Sequence, residues 1–339
     1  LDLRVRVGHF DKKTELKPLF HNLTRLLFFH DEHALETTST TTWRQCCLSG
    51  DRCSIIAPAD ELELLDGIHI DPVEWAVVQV SEGQHGFDSV GVVERVTGPL
   101  ATATVPVLYI STYATDFVLV PCDRLDEALA QVERCDAQLV QSVQRSSLGS
   151  QSDSGELPPP RSPPRSASGG SLAGAGGGGG PSQHPLSVLD DAKSHIFHIS
   201  RSTLQQHVGA LLRLLFMPLH DDSEHALVSL TETAEELSLL CGDAPWFLDY
   251  ASKAEGVRIS GSEAWLPIRI GPEAGTPLEE VGLIAKHANV LMSATIPILY
   301  HSTSASDFAL VPDSDLELAV EAFVLAGFDL SRASARVGV

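Results

Sequence analysis

Ser111-Thr112-Tyr113-Ala114-Thr115-Asp116-Phe117-Val118-Leu119-Val120-Pro121 returns later in the chain as Ser302-Thr303-Ser304-Ala305-Ser306-Asp307-Phe308-Ala309-Leu310-Val311-Pro312. Each copy reads as a polar turn entering a buried strand: hydroxyl residues that satisfy a turn, an acid at its exit, then an apolar run closed by proline. The duplication extends outward. Gly91 matches Gly282, Trp75 matches Trp265, and Arg25-Leu26-Leu27-Phe28 matches Arg213-Leu214-Leu215-Phe216. His33-Ala34-Leu35 echoes His225-Ala226-Leu227 at a slightly larger offset. An internal repeat of this length makes the chain two copies of one structural unit.

The order of elements repeats as well. The first half reads as a strand at 5–8 and an amphipathic helix at 16–29, with Leu19, Leu23, Leu26 and Leu27 on one face. Strands follow at 34–40, 53–57 and 73–80, then a helix at 88–100, strands at 105–111 and 117–120, and a helix at 125–132. The second half runs 195–199, 204–216, 226–230, 236–240, 265–270, 278–291, 296–301, 308–311 and 316–325 in the same alternation. This order predicts an open α+β sandwich, with helices on one face of each sheet.

Between the halves, Ser147-Leu148-Gly149-Ser150-Gln151-Ser152 leads to Pro158-Pro159-Pro160 and then to a glycine run from Gly176 to Gly180. Such a stretch buries too little apolar surface to offset the entropy of ordering it, and it reads as a disordered tether over 146–190.

Over 339 residues, 43% are hydrophobic and 20% charged, which suits a packed core. The formal net charge of −22 repels phosphate backbones and anionic membrane surfaces, so neither nucleic acid nor membrane is an expected partner. No apolar run approaches the length of a spanning helix. The opening Leu1-Asp2-Leu3-Arg4 has neither a signal-peptide pattern nor an initiator methionine. The six cysteines lack paired C-x-x-C spacing and read as free thiols of a reducing, cytoplasmic compartment. Cys46, Cys47 and Cys53 are poorly spaced to chelate one zinc, and His30-Asp31-Glu32-His33 is not the spacing of a zinc helix. His195 and His198 fall on opposite faces of a strand. There is no phosphate-binding glycine loop and no G-x-S-x-G elbow. The residues therefore point to no catalytic group, no metal and no cofactor.

Two recurring features suggest a ligand site. Gly91 and Gly282 each stand where a helix begins, and the free N–H groups of a first helical turn suit a carboxylate. Asp116 and Asp307 stand at the turn exits, where an acid receives an ammonium or guanidinium group. Together these describe a zwitterion site. The plainer alternative is that the hydroxyls close turns and the acids cap the next element.

The segments 87–121 and 278–312, the central tether and the Arg-Leu-Leu-Phe helices resemble the ACT-domain proteins of the cytosolic arginine sensor family. Bacterial tandem ACT proteins and the regulatory region of aspartate kinases share the outline. The resemblance implies four ACT-like, ferredoxin-like βαββαβ subdomains at 1–70, 71–145, 191–260 and 261–339. It implies a non-catalytic amino-acid sensor, with arginine as the family's ligand. It also implies a homodimer through the first and third subdomains, and a protein partner in TORC1-type nutrient signalling. The ligand would lie between the second and fourth subdomains. Carried over by position, its contacts are Val105, Pro106 and Val107; Glu280, Val281, Gly282, Leu283 and Ile284; and Thr303, Ser304 and Asp307. Two departures from the arginine sensors are Pro106, in place of a serine, and Ser304, in place of an aromatic residue, and no counterpart of the family's glycine before the helix stands near Thr276-Pro277. A second, pseudo-symmetric site would use Ser89, Val90, Gly91, Val92, Val93, Thr112 and Asp116 opposite 296–298, and lacks an acid at the Glu280 position. Alternative functions are the allosteric module of an amino-acid biosynthetic enzyme and an interaction scaffold that has lost its ligand.

Overall fold

The first half folds as β1 (Arg4–Asp11), α1 (Lys12–Phe28), the hairpin β2 (Arg44–Ser49) and β3 (Arg52–Ala57), α2 (Ala59–Leu62) and β4 (His69–Ile70). It continues with β5 (Trp75–Val80), α3 (Val92–Thr102), β6 (Leu108–Ser111), β7 (Asp116–Pro121) and α4 (Leu125–Cys135). The second half repeats this series after the short β8 (Leu186–Val188), with β9 (Ser194–Ile199), α5 (Leu204–Phe216), β10 (Leu227–Glu232), β11 (Leu237–Gly242), α6 (Pro245–Ala251) and β12 (Val257–Ile259). It ends with β13 (Trp265–Ile270), α7 (Leu283–Ser293), β14 (Leu299–Ser302), β15 (Asp307–Pro312), α8 (Leu316–Leu325) and β16 (Leu330–Arg332). This computed structural model describes residues 3–29, 43–80, 90–135, 184–217, 227–234, 236–242, 244–261, 263–272 and 277–332. The tether over most of 146–190, the strand expected at 34–40, the His30-to-His33 cluster and Ser89 lie outside the described residues.

Equivalent units of the two halves pair edge to edge. β2 and β10 run antiparallel with Cys46 opposite Leu230, joining the first unit (β1–β4) to the third (β9–β12). β6 meets β14 at Ile110 and His301, joining the second unit (β5–β7) to the fourth (β13–β15). The strand order β12-β9-β11-β10-β2-β3-β1-β5-β7-β6-β14-β15-β13-β8-β16 closes on itself through a β9–β13 pairing. At the two seams the ladder is thin: β1 meets β5 only at Arg4–Ala76 and Val5–Trp75, and β13 meets β9 at Trp265–Ser194. The closed sheet is thus two broad faces folded onto each other.

The alternation of side chains explains the layers. Cys46, Leu48, Cys53 and Ile55 point one way, into a cluster with Leu23 and Leu27 of α1 and Leu211 and Leu215 of α5. The intervening Cys47 points the other way, into a cluster with Leu227 and Leu240 of its own face and Trp265, Leu299 and Phe308 of the opposite one. Val5, Val7 and Ile56 likewise meet Trp75, Leu108 and Phe117 across the interior. The architecture is helix, sheet, sheet, helix. The expected open sandwich is corrected here, because the face opposite each helix layer is covered by the other sheet.

Two helix boundaries also change, and a strand not singled out from the sequence, Arg44–Ser49, pairs with β3. Its run of Arg, Gln and two cysteines hides an inward-facing thiol stripe, because a buried cysteine behaves as a small hydrophobe. The helices expected from 88 and 278 begin at Val92 and Leu283. Gly91 and Gly282 have φ of 88° and 79°, in the left-handed region, and so stand outside the helices as their N-caps.

Candidate functional site

The repeated turns are closed by their threonines. Thr112 donates its hydroxyl to Thr115 O at 2.6 Å, and Thr303 donates to Ser306 O at 2.7 Å. The Thr303 oxygen also accepts the N–H groups of Ala305 (3.2 Å) and Ser306 (3.0 Å). For Thr303 the plain turn-forming role accounts for the hydroxyl.

Each turn delivers its aspartate to the first position of a strand, beside a tyrosine seven residues upstream. Tyr109 donates to Asp116 Oδ2 at 2.7 Å, and Tyr300 donates to Asp307 Oδ2 at 3.2 Å. The tyrosine rings stand edge to face, centroids 6.3 Å apart, across the β6–β14 junction. The backbone there is reciprocal: Tyr109 N–H donates to Ser302 Oγ and Tyr300 N–H to Ser111 Oγ, both at 3.0 Å. The two acids are therefore related by a pseudo-twofold axis. Asp307 is buried, with 8% of its surface exposed. Among the described residues no arginine or lysine pairs with it, and burial pushes its carboxyl up to about 6 against the hydrogen bonds from Ser302 and Tyr300. Burial likewise pushes Asp116 to about 6, although Asp116 retains more contact with solvent.

The charge of Glu280, two residues before the cap of α7, reaches Asp307. Gly282 caps this helix without a side-chain bond, so the first-turn N–H groups have no side chain covering them from the cap position. A Cβ at Gly282 would lie 3.5 Å from Ala101 Cβ, which places the end of α3 against the start of α7. Glu280 precedes the cap and contacts His184 Nε2 through Oε1 at 2.5 Å. Both residues act on Asp307, Glu280 raising its carboxyl and His184 lowering it. Glu280, His184 and Asp307 thus form one electrostatic group.

The other residues carried over from the resemblance divide by environment. Val105, Val107, Leu283 and Ile284 are buried in the apolar cluster that joins the second and fourth units. Pro106 lies partly exposed between its two valines, and Val281 is 38% exposed. Ser304 turns toward the first unit, its N–H donating to Ser54 Oγ at 3.0 Å. In the pseudo-symmetric set, Val92 and Val93 are core residues and Thr112 closes its turn.

Sequence reasoning passed over His184 and the two tyrosines. The matched Tyr-x6-Asp spacing in both halves is the signal for the tyrosines. His184 has no repeated counterpart and lies beside the tether in sequence. The reasoning also missed how the turns dock on the opposite sheet. Glu236, buried in the third unit, accepts Thr112 Oγ1 at 3.1 Å and Ala114 N–H at 3.0 Å, and faces His198 Nδ1 at 2.8 Å. A second buried network joins the first and third units: Arg44 pairs with Glu61 and, at 2.9 Å, with Glu232, which Arg201 also approaches at 3.2 Å.

An apolar hollow beneath α3 and α4, lined by Val78, Val96, Val118, Ala128 and Val132, lies apart from these acids and has almost no polar surface to orient a zwitterion. Among the described residues no three His, Cys, Asp or Glu side chains converge to hold a metal ion, and no helix is long and apolar enough to cross a membrane.

Comparison with known proteins finds the ACT domain twice, over residues 72–133 and 260–323, which span the second and fourth units. The chain is similar to the rat cytosolic arginine sensor for mTORC1 subunit 1, with 26% identity over 275 residues and 77% of each chain covered. The human protein of that name is 37% identical over 60 residues, 18% of each chain. Among solved structures, aspartate kinase from Synechocystis aligns with 99% of this chain and 57% of its own at 12% identity and a TM-score of 0.31.

Proposed function

We propose that this chain is a non-catalytic amino-acid sensor, its ligand held between the second and fourth ACT-type units. The observation that carries this reading is the buried Asp307 carboxylate, without an arginine or lysine partner among the described residues and under the charge of Glu280, which stands two residues before the side-chain-free start of α7 at Gly282. The helix N–H groups receive the ligand's carboxylate, and Asp307 receives its ammonium group. Glu280 supplies a second acid, which favours a cationic side chain such as that of arginine. Pro106 and Val281 border the site, and Val105, Val107, Leu283 and Ile284 form its packed floor. The similarity to an arginine sensor supports the same direction. In this reading the units divide at 1–70, 71–145, 191–260 and 261–339, and the 146–190 tether joins the halves. The protein works in the cytoplasm, pairs as a homodimer through the first and third units, and passes ligand occupancy to a protein of TORC1-type nutrient signalling. The exposed Phe20, Phe29 and Met217 on the helix layer of those units fit a dimer surface.

A second reading is a scaffold that no longer binds an amino acid. It draws on Ser304, which is committed to Ser54 and leaves its own hydroxyl buried without a partner among the described residues. A thermal-shift screen of the twenty amino acids decides between them, because a ligand that binds only the folded state raises its stability by RT ln(1 + [L]/Kd). The sensor reading expects a shift with at least one cationic amino acid, lost in Asp307→Ala and retained in Asp116→Ala. A flat screen at millimolar concentrations refutes it.

A further inference from the structure

His184 engages Glu280, the acid that the sensor reading assigns to a ligand's cationic group. Its Nε2 lies 2.5 Å from Glu280 Oε1, with side-chain exposures of 17% and 30%. Its position is fixed by the backbone that follows it. Pro185 O accepts the Gly271 N–H at 3.1 Å, and Leu186 N–H donates to Asp329 O at 2.9 Å. From Leu186 onward the chain is a strand, paired with β13 on one side and β16 on the other. His184 is therefore presented from a firm sheet edge, and its side chain can leave Glu280 by rotating about its own bonds while β8 stays in place.

Glu280 comes from the segment before α7 and Asp307 from the head of β15, and both feel one another and His184. From α7, His287 feels His184 and Lys286. His287 is fully buried and held neutral by burial, at about 4, with its Nδ1 bonded to Leu283 O, so it does not compete for Glu280 near neutral pH. An imidazole N–H beside Glu280 offers the same donor chemistry as a ligand ammonium or guanidinium. One carboxylate oxygen already engaged at 2.5 Å cannot serve an incoming cation at full strength.

We propose that the His184 imidazole is an internal donor that occupies the Glu280 side of the site in the free protein and must be displaced by a cationic amino acid. This rests on the sensor reading and specifies its regulation: the imidazole and the ligand compete for the same acid, so His184 lowers affinity for cationic ligands. Neutral amino acids, which need only Asp307 and the helix start, are less affected.

The test has two arms, the first without ligand. Thermal unfolding of wild type, His184→Ala, Glu280→Gln and the double variant measures the coupling of the pair. The expected result is a non-additive loss. Additivity overturns the proposal whatever the ligand. The second arm is calorimetric titration with L-arginine and L-leucine. His184→Ala should bind arginine about two- to fivefold more tightly than wild type, the range a partly exposed pair supports, with little change for leucine. Because Asp307 is present in both proteins, its own protonation cancels in the comparison. Weaker arginine binding in His184→Ala would make the imidazole a ligand contact and overturn the proposal. If the coupling is present while neither protein binds any amino acid, the sensor reading fails. The displacement step then fails with it, and the ion pair stands as a stabilising contact of the fold.

Discussion

Asp307→Asn should make the ligand-free protein more stable while removing its response to amino acids. The side chains are nearly isosteric, and the Tyr300 hydroxyl, 3.2 Å from the carboxylate, can donate equally to an amide oxygen. What changes is the charge. Burial lifts the Asp307 carboxyl from 3.8 to about 6. A carboxyl raised by that much carries about 3 kcal/mol of cost in its ionised form at neutral pH relative to the unfolded chain. The cost is fully present above about pH 6, shrinks as pH falls and the folded state takes up its proton, and is gone below about pH 4, where both states are protonated. Asparagine bears no such cost at any pH. Guanidinium unfolding of the two proteins should therefore show Asp307→Asn ahead by about 2–3 kcal/mol near pH 8, with the gap closing through pH 6 and absent near pH 4. The same variant should show no thermal shift with the amino acid that shifts wild type, since loss of one charged partner in a buried site costs about 3 kcal/mol, more than a hundredfold in affinity. A variant less stable than wild type near pH 8, or a gap that does not depend on pH, would refute the account of Asp307 as an uncompensated buried acid.

Asp116→Asn should follow the same pH trend with a smaller gain, since Asp116 is more open to solvent, and should leave ligand response intact; denaturation curves and thermal shift check both. Thr104 and Thr295, with φ of 55° and 59°, hold left-handed positions after α3 and α7, and replacing either by glycine should raise the unfolding free energy read from denaturation curves by about 0.5–1 kcal/mol. Arg44→Met leaves Glu61 and Glu232 without their shared guanidinium and should cost about 3 kcal/mol in chemical denaturation, whereas loss of the exposed Lys253–Asp249 pair should be nearly silent. Gly282→Ala has room, its Cβ lying 3.5 Å from Ala101, yet its backbone conformation strains any side chain, so a loss of about 1 kcal/mol and weakened ligand binding are expected in the same two assays.

Local pattern carried the strands and helices well where one face is apolar and the other polar. The Phe117-to-Pro121 and Phe308-to-Pro312 runs, the leucine stripes of α1 and α5, and the glycines before α3 and α7 could all be read without coordinates. What could not be read is pairing between distant elements. Nothing in Arg44-Gln45-Cys46-Cys47 announces that this strand lies against Leu227–Glu232, because register is set by which faces are buried once both halves are folded. The closed double sheet follows from that pairing, so the open sandwich was the natural error. The acids of the site were legible by type and repeat. Their environment was not: the burial of Asp307 and the approach of His184 to Glu280 are tertiary facts.

The repeat makes the scaffold symmetric and the chemistry unequal. Ala101 and Met292 occupy matching positions near the ends of α3 and α7, each against the glycine that opens the other helix. At Gly282 the neighbour is the Ala101 methyl, whose contact with an added Cβ would be ordinary at 3.5 Å. At Gly91 a Cβ would come within 3.0 Å of both Met292 Cγ and Sδ, so the thioether already lies over the start of α3. Beside Gly91 the Met292 side chain therefore leaves less room than the Ala101 methyl leaves beside Gly282. The sequence places Ser89 where Glu280 stands in the second half, so the shielded helix start is also the one with the weaker electrostatic partner. Shape and charge thus disfavour the same copy. An ancestral pair of equal sites can lose one in this way at little cost to folding, because Tyr109, Ser111 and Asp116 still hold the central junction whether or not a ligand is bound beside them.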